Sequence, residues 1–248
     1  MSDLEKELEA NYQTFRADWI SQAAANQVAL ASSKFYRDSY RRIACLQAMK
    51  ADLVSGNFSP ESAAFFLEAQ NDALVSHVSA SSGAWRPALQ SLRSCIENVL
   101  NSIFYNEHPV ELLLWKSGRH KMTFTDLHKY FVAHPALSSY PGTLTGLVEI
   151  KNEYATLSKA VHASAANFRM TDGAAAILLW STDASRASMW STRERKVIQA
   201  LCLLMCCLNK ERLQGTKLTG LRQILYFSIG TQKRAELKKS LKISIQKP

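Results

Sequence analysis

The chain has 248 residues, 47% of them hydrophobic, and carries 30 Lys or Arg against 21 Asp or Glu for a net charge of +9. That is enough apolar material for a substantial core in one large or two small domains. Nine glycines and six prolines, with long Ala, Leu, Glu and Lys stretches lacking strand-like alternation, argue against a sheet protein and for an all-α helical bundle.

The N-terminus, MSDLEKELEA, is acidic and has no apolar signal core, so a cytoplasmic protein is expected. The longest apolar run, Val197 to Leu208, has 12 residues, short of the roughly 18 that a membrane span needs, and no membrane partner is expected. Of five cysteines, Cys45, Cys95, Cys202, Cys206 and Cys207, four lie in apolar helical patterns and read as small hydrophobes.

In chain order, residues 3–54 read as long helix interrupted near Ala23 to Asn26, with Arg37, Arg41 and Arg42 forming a basic cluster around Phe35, Tyr36 and Tyr40. Such a cluster is either a nucleic-acid surface or an amphipathic helix with its cations in solvent. Gly56-Asn57 breaks the chain, and Ser59-Pro60-Glu61 supplies an N-cap, a proline at the first helical position and an early acid. The next helix should end at the Ser-rich turn before Gly83. Trp85-Arg86-Pro87 opens another, SLRSCIENVLNSIFY, in which Arg93, Glu97 and Asn101 follow at i, i+4 and i+8 beside Leu92, Ile96, Val99 and Leu100.

Two short helices fit Pro109 to Lys116 and Thr125 to Ala133, joined by a basic turn in which Arg119-His120-Lys121 is either a phosphate contact or a solvated loop. Pro141-Gly142-Thr143 should start the stretch around which the chain is organised, EIKNEYATLSKAVHAS. There Ile150, Tyr154, Leu157 and Val161 share a stripe, and Tyr154, Ser158 and His162 form a polar row. The helix or strand state of Ala174 to Trp180 is open. Ser191 to Glu194 has capping-box spacing and predicts a helix over Thr192 to Leu213. A segment from Leu218 to Ile229 leads to a lysine-rich end expected to fray.

The basicity belongs to that end. From Lys210 to Pro248 ten Lys or Arg stand against Glu211 and Glu236, which leaves +8 there and +1 over the preceding 209 residues. Lys233, Arg234, Lys238 and Lys239, with Arg119, are therefore the candidate nucleic-acid-binding residues. The expected organisation is an N-terminal helical region over 1–80, a helical bundle over 81–215 and a basic segment over 216–248.

The pairing of the Arg93/Glu97 helix with the later Tyr154, Leu157-Ser158, Val161-His162 helix resembles the HEPN superfamily. The resemblance spans roughly Trp85 to Leu213. It implies a metal-independent ribonuclease effector in a toxin or phage-defence system, acting on RNA, pairing as a homodimer, with a cognate antitoxin or defence-system partner and no cofactor. The arginine that the superfamily places ahead of the histidine, with four to six residues between them, is absent: the corresponding positions hold Leu157, Thr156 and Ala155. Cleavage without a metal needs a base or acid near the ribose 2′-hydroxyl and a cation on the phosphate. His162 would be the first, with Ser158 beside it. Arg93 from the other helix would be the second, and Glu97 or Asn101 would orient one of them. The alternative is a catalytically silent HEPN-like module that binds nucleic acid or a protein. No Gly-rich phosphate loop, GxSxG, HExxH or paired CxxC is present.

Overall fold

The computed structural model describes residues 2–162, 168, 171–172, 175–176 and 184–248. Helices dominate it: α1 (Asp3–Leu30), α2 (Lys34–Met49) running into a π-turn (Lys50–Val54), α3 (Pro60–Ser81), α4 (Trp85–Glu107), α5 (Pro109–Lys116), α6 (Phe124–Ala133), α7 (Leu147–Val161), α8 (Ala184–Leu208), α9 (Lys210–Leu213), α10 (Thr219–Leu225) and α11 (Thr231–Leu241). A two-residue pairing joins β1 (Thr171–Asp172) and β2 (Ala175–Ala176). The protein is all-α. Among the described residues no helix is long and apolar enough to cross a membrane.

Local chemistry sets three of the helix starts. Ser2 accepts from the Glu5 amide while the Glu5 carboxylate accepts from the Ser2 amide, closing a capping box at the head of α1. Ser59 caps α3 ahead of Pro60, and Thr123 caps α6. The break between the first two helices falls at 31–33 rather than near Ala23 to Asn26, because Asn26 is anchored by donating its side-chain amide to the Ser81 carbonyl of α3. The start of α7 is displaced similarly, from Pro141 to Leu147. Residues 141–146 form turns ending in Gly146, whose φ of +80° is left-handed. A Cβ on Gly146 would collide with the Ala200 carbonyl, so glycine lets the head of α7 lie directly on α8.

The core is shared by α2, α3, α4, α7 and α8, with Phe66, Leu92, Ile96, Ile150, Leu157, Leu201 and Leu204 fully buried. Helix α8 begins eight residues before the predicted Thr192. Ser191 and Glu194 are consequently buried positions inside it, not its cap. Glu194 accepts from Arg42 Nε at 2.5 Å and from Ser39 Oγ at 3.2 Å, and Ser39 Oγ also lies 3.0 Å from His77 Nδ1. Arg42 thus leaves the solvent-facing arginine cluster for the core. All five cysteines are free and buried.

The basic end is more tightly held than a fraying tail. Leu237, Leu241 and Ile243 are buried, and Gln214 Nε2 donates to the Leu241 carbonyl at 2.7 Å.

Candidate functional site

Helices α4 and α7 cross so that Tyr154 lies against Arg93 and Glu97. Arg93 Nη2 donates to the Tyr154 hydroxyl at 2.6 Å, the hydroxyl donates to Glu97 Oε1 at 2.5 Å, and Arg93 reaches the same carboxylate oxygen at 3.1 Å. The Arg93 guanidinium stands 4.8 Å from the centre of the Tyr154 ring, which also stacks on Phe124 of α6 at 3.5 Å. Tyr154 is half-buried between them. Burial and the bond to Glu97 push its phenol up to about 12, against the pull of Arg93. Tyr154, which the spacing places in both the apolar stripe and the polar row, is the polar link between two helices.

Arg93 and Glu97 line one side of a cleft of about 320 Å³, with Asn98, Asn101, Trp115, Lys121 and Phe124 among its other walls. Its character follows from the short helices. Pro109 ends α4 and starts α5, which carries Trp115 to the rim, and the 117–123 turn brings Lys121 alongside. Asn98 Nδ2 donates to Asp72 at 2.8 Å, which fixes the amide at the back of the cleft. Burial pushes the Asp72 carboxyl up. Arg93 Nε is buried without a partner among the described residues. A larger hollow of about 480 Å³ between α6 and the head of α7 is lined by Val132, Leu137, Leu147 and Val148, with His128 and Lys151 at its edge. It lacks such a concentration of polar groups.

The remaining predicted residues take different places. Ser158 Oγ donates to the Tyr154 carbonyl at 2.8 Å, one turn back along its own helix. His162 caps the C-terminus of α7 and is exposed. It stands eight residues, or about 12 Å of helix rise, beyond Tyr154. Arg93 and Glu97 are brought together, while His162 sits beyond them at the end of α7. In the basic turn, Arg119 Nε donates to Ser117 Oγ at 3.0 Å at the surface, and His120 turns edge-on to Tyr105.

On α11, Lys238 and Lys239 are exposed. Lys233 pairs with Glu236 at 2.6 Å. Arg234 stacks on Tyr226 at 3.9 Å and donates to the Tyr226 and Ile229 carbonyls, which makes it a clasp between α10 and α11.

Sequence reasoning missed Trp115, Lys121 and Phe124 as parts of one cleft; only the Arg-His-Lys turn hinted at it. It also missed Glu153, fully buried on the α8 side of α7, where Arg193 donates at 2.8 Å and Lys196 at 3.3 Å.

Comparison with protein-family models, with curated proteins and with solved structures finds no match.

Proposed function

We propose that the protein is a HEPN-like helical module that binds single-stranded RNA through the cleft between α4, α5 and α6. One observation carries this reading: the cleft puts cations (Arg93, Lys121), amides (Asn98, Asn101) and aromatic surface (Trp115, Phe124) within one space of about 320 Å³. Unpaired RNA is held by that combination, with phosphate neutralised by cations, base edges read by amides and base faces stacked on aromatic rings. The exposed Lys238 and Lys239 of the basic C-terminal segment add a salt-sensitive attraction.

Binding is favoured over cleavage by the placement of the groups that cleavage would need. Arg93 lies beside Tyr154, while His162 lies on the order of 12 Å further along α7.

Fluorescence anisotropy with a labelled single-stranded RNA, for the wild type and for Lys121→Ala and Asn101→Ala, tests the reading. Both residues lie at the cleft and outside the buried core. Weaker binding in both variants, with the RNA left intact, supports a binding cleft. Unchanged affinity in both removes it. RNA cleavage lost in His162→Ala would replace it with the ribonuclease reading.

A further inference from the structure

The first five turns of α1 form an exposed rod. Every residue described from Ser2 to Gln22 is exposed, over a length of about 30 Å. Leu4, Leu8, Tyr12 and Phe15 fall within a stripe about 80° wide along it, and they are 64%, 58%, 55% and 61% exposed. Four large apolar side chains on successive turns make a continuous patch of the kind that marks an interaction surface.

The same stripe runs on through Asn26, which is buried where the end of α1 docks on α3. The face that packs in the last turns is thus the face left open in the first ones. Because α1 is unbroken from Asp3 to Leu30, this open part cannot fold back onto its own body.

We propose that this face pairs with the α1 of a second copy of the chain, in antiparallel orientation. Charge selects the orientation. Asp3, Glu5, Glu7 and Glu9 against Lys6 give the first turns a net charge of −3. A parallel pair would lay two such ends side by side, whereas an antiparallel pair separates them. It also sets Glu5 and Glu9 of one copy along the flank that holds Arg16 of the other.

Size points the same way. Along the stripe the small members come first and the aromatic ones later, so reversing one copy places Leu8 beside the partner's Phe15, twice about a two-fold axis, with Tyr12 near the axis. Leu4 then falls beside the exposed part of the partner's Trp19. A parallel pair would instead oppose Leu8 to Leu8 and Phe15 to Phe15. The arrangement is isologous and closed, as a two-fold dimer requires. Covering the stripes of both copies removes on the order of 1,000 Å² from water, the lower bound for a specific interface.

The test is the solution mass of the full chain by light scattering at micromolar concentration, beside the double variant Leu8→Glu with Phe15→Glu. A dimer for the wild type, and a monomer with unchanged helical circular dichroism for the variant, is expected. A monomeric wild type, or a variant that remains dimeric, would overturn the proposal. Orientation is read by mild oxidation of Leu8→Cys mixed with Phe15→Cys, the five native thiols being buried. Cross-linking in the mixture and not in Leu8→Cys alone is expected; the reverse would overturn the antiparallel assignment.

Discussion

Arg42 and Glu194, 152 positions apart in the chain, meet at 2.5 Å in the protein core with side-chain exposures of 6% and 1%. The pair joins α2 to α8, and Ser39 and Ser191 supply its remaining hydrogen bonds. Its two halves are not equivalent, since a guanidinium keeps its charge while a carboxyl can take up a proton. Glu194→Leu leaves Arg42 charged in the core and should cost about 3–5 kcal/mol. Arg42→Leu should cost less at about pH 5 than at neutral pH, because Glu194 then escapes by protonation. Urea unfolding of both variants at the two pH values measures the difference.

The same carboxyl sets a pH dependence. Burial outweighs Arg42 and Ser39 and pushes Glu194 from 4.5 up to about 7. Between those values the folded state holds the proton more tightly than the unfolded chain, so this group's contribution to stability falls as pH rises from 4.5 to 7 and is constant beyond. Denaturant midpoints across that window should fall more steeply in the wild type than in Glu194→Gln. Equal slopes would assign the dependence elsewhere.

Gly146 separates two costs of adding a methyl group. Gly146→Ala meets both a left-handed φ and the Ala200 carbonyl, and should destabilise by about 2–4 kcal/mol. Gly215→Ala has a comparable φ of +72° but open space, and should cost only about 1–2 kcal/mol. Thermal unfolding of the two variants side by side reads the difference.

At the cleft, the two substitutions differ in kind. Lys121→Ala removes a cation, so the slope of log affinity against log salt should shrink by about 0.7 if Lys121 neutralises one phosphate of a single strand. Asn101→Ala should weaken binding while leaving that slope unchanged. A salt titration of RNA binding gives both numbers.

The helical architecture was legible where local chemistry decides it. Ser59-Pro60 and the Pro109 break mark their helices directly. It was illegible where packing overrides a local signal. Ser191 to Glu194 has the spacing of a cap, yet no cap is needed mid-helix, and the glutamate serves a buried arginine instead. Arg42 was indistinguishable in sequence from Arg41, and only the helix face they occupy parts them: Arg41 pairs with Asp38 at 3.2 Å at the surface, while Arg42 turns inward. In the candidate site, the adjacency of Arg93 and Glu97 follows from their i, i+4 spacing. Their link to Tyr154 depends on how α4 and α7 cross, and the cleft depends on short helices whose placement no periodicity records. Most of the undecided run from Ala174 to Trp180 lies outside the described residues.

Helix α8 receives Arg42 from α2, gives Arg193 and Lys196 to Glu153 of α7, accepts the Gly230 amide on Gln199 ahead of α11, and sends Cys207 towards the Leu144 carbonyl. These partners are spread from the beginning of the chain to its end. The backbone of α8 is therefore reached by solvent only when most of the molecule has come apart. In deuterium-exchange measurements, its amides from Val197 to Cys207 should be among the last to label, at rates tracking global unfolding, while those of the exposed first turns of α1 label early in the monomer.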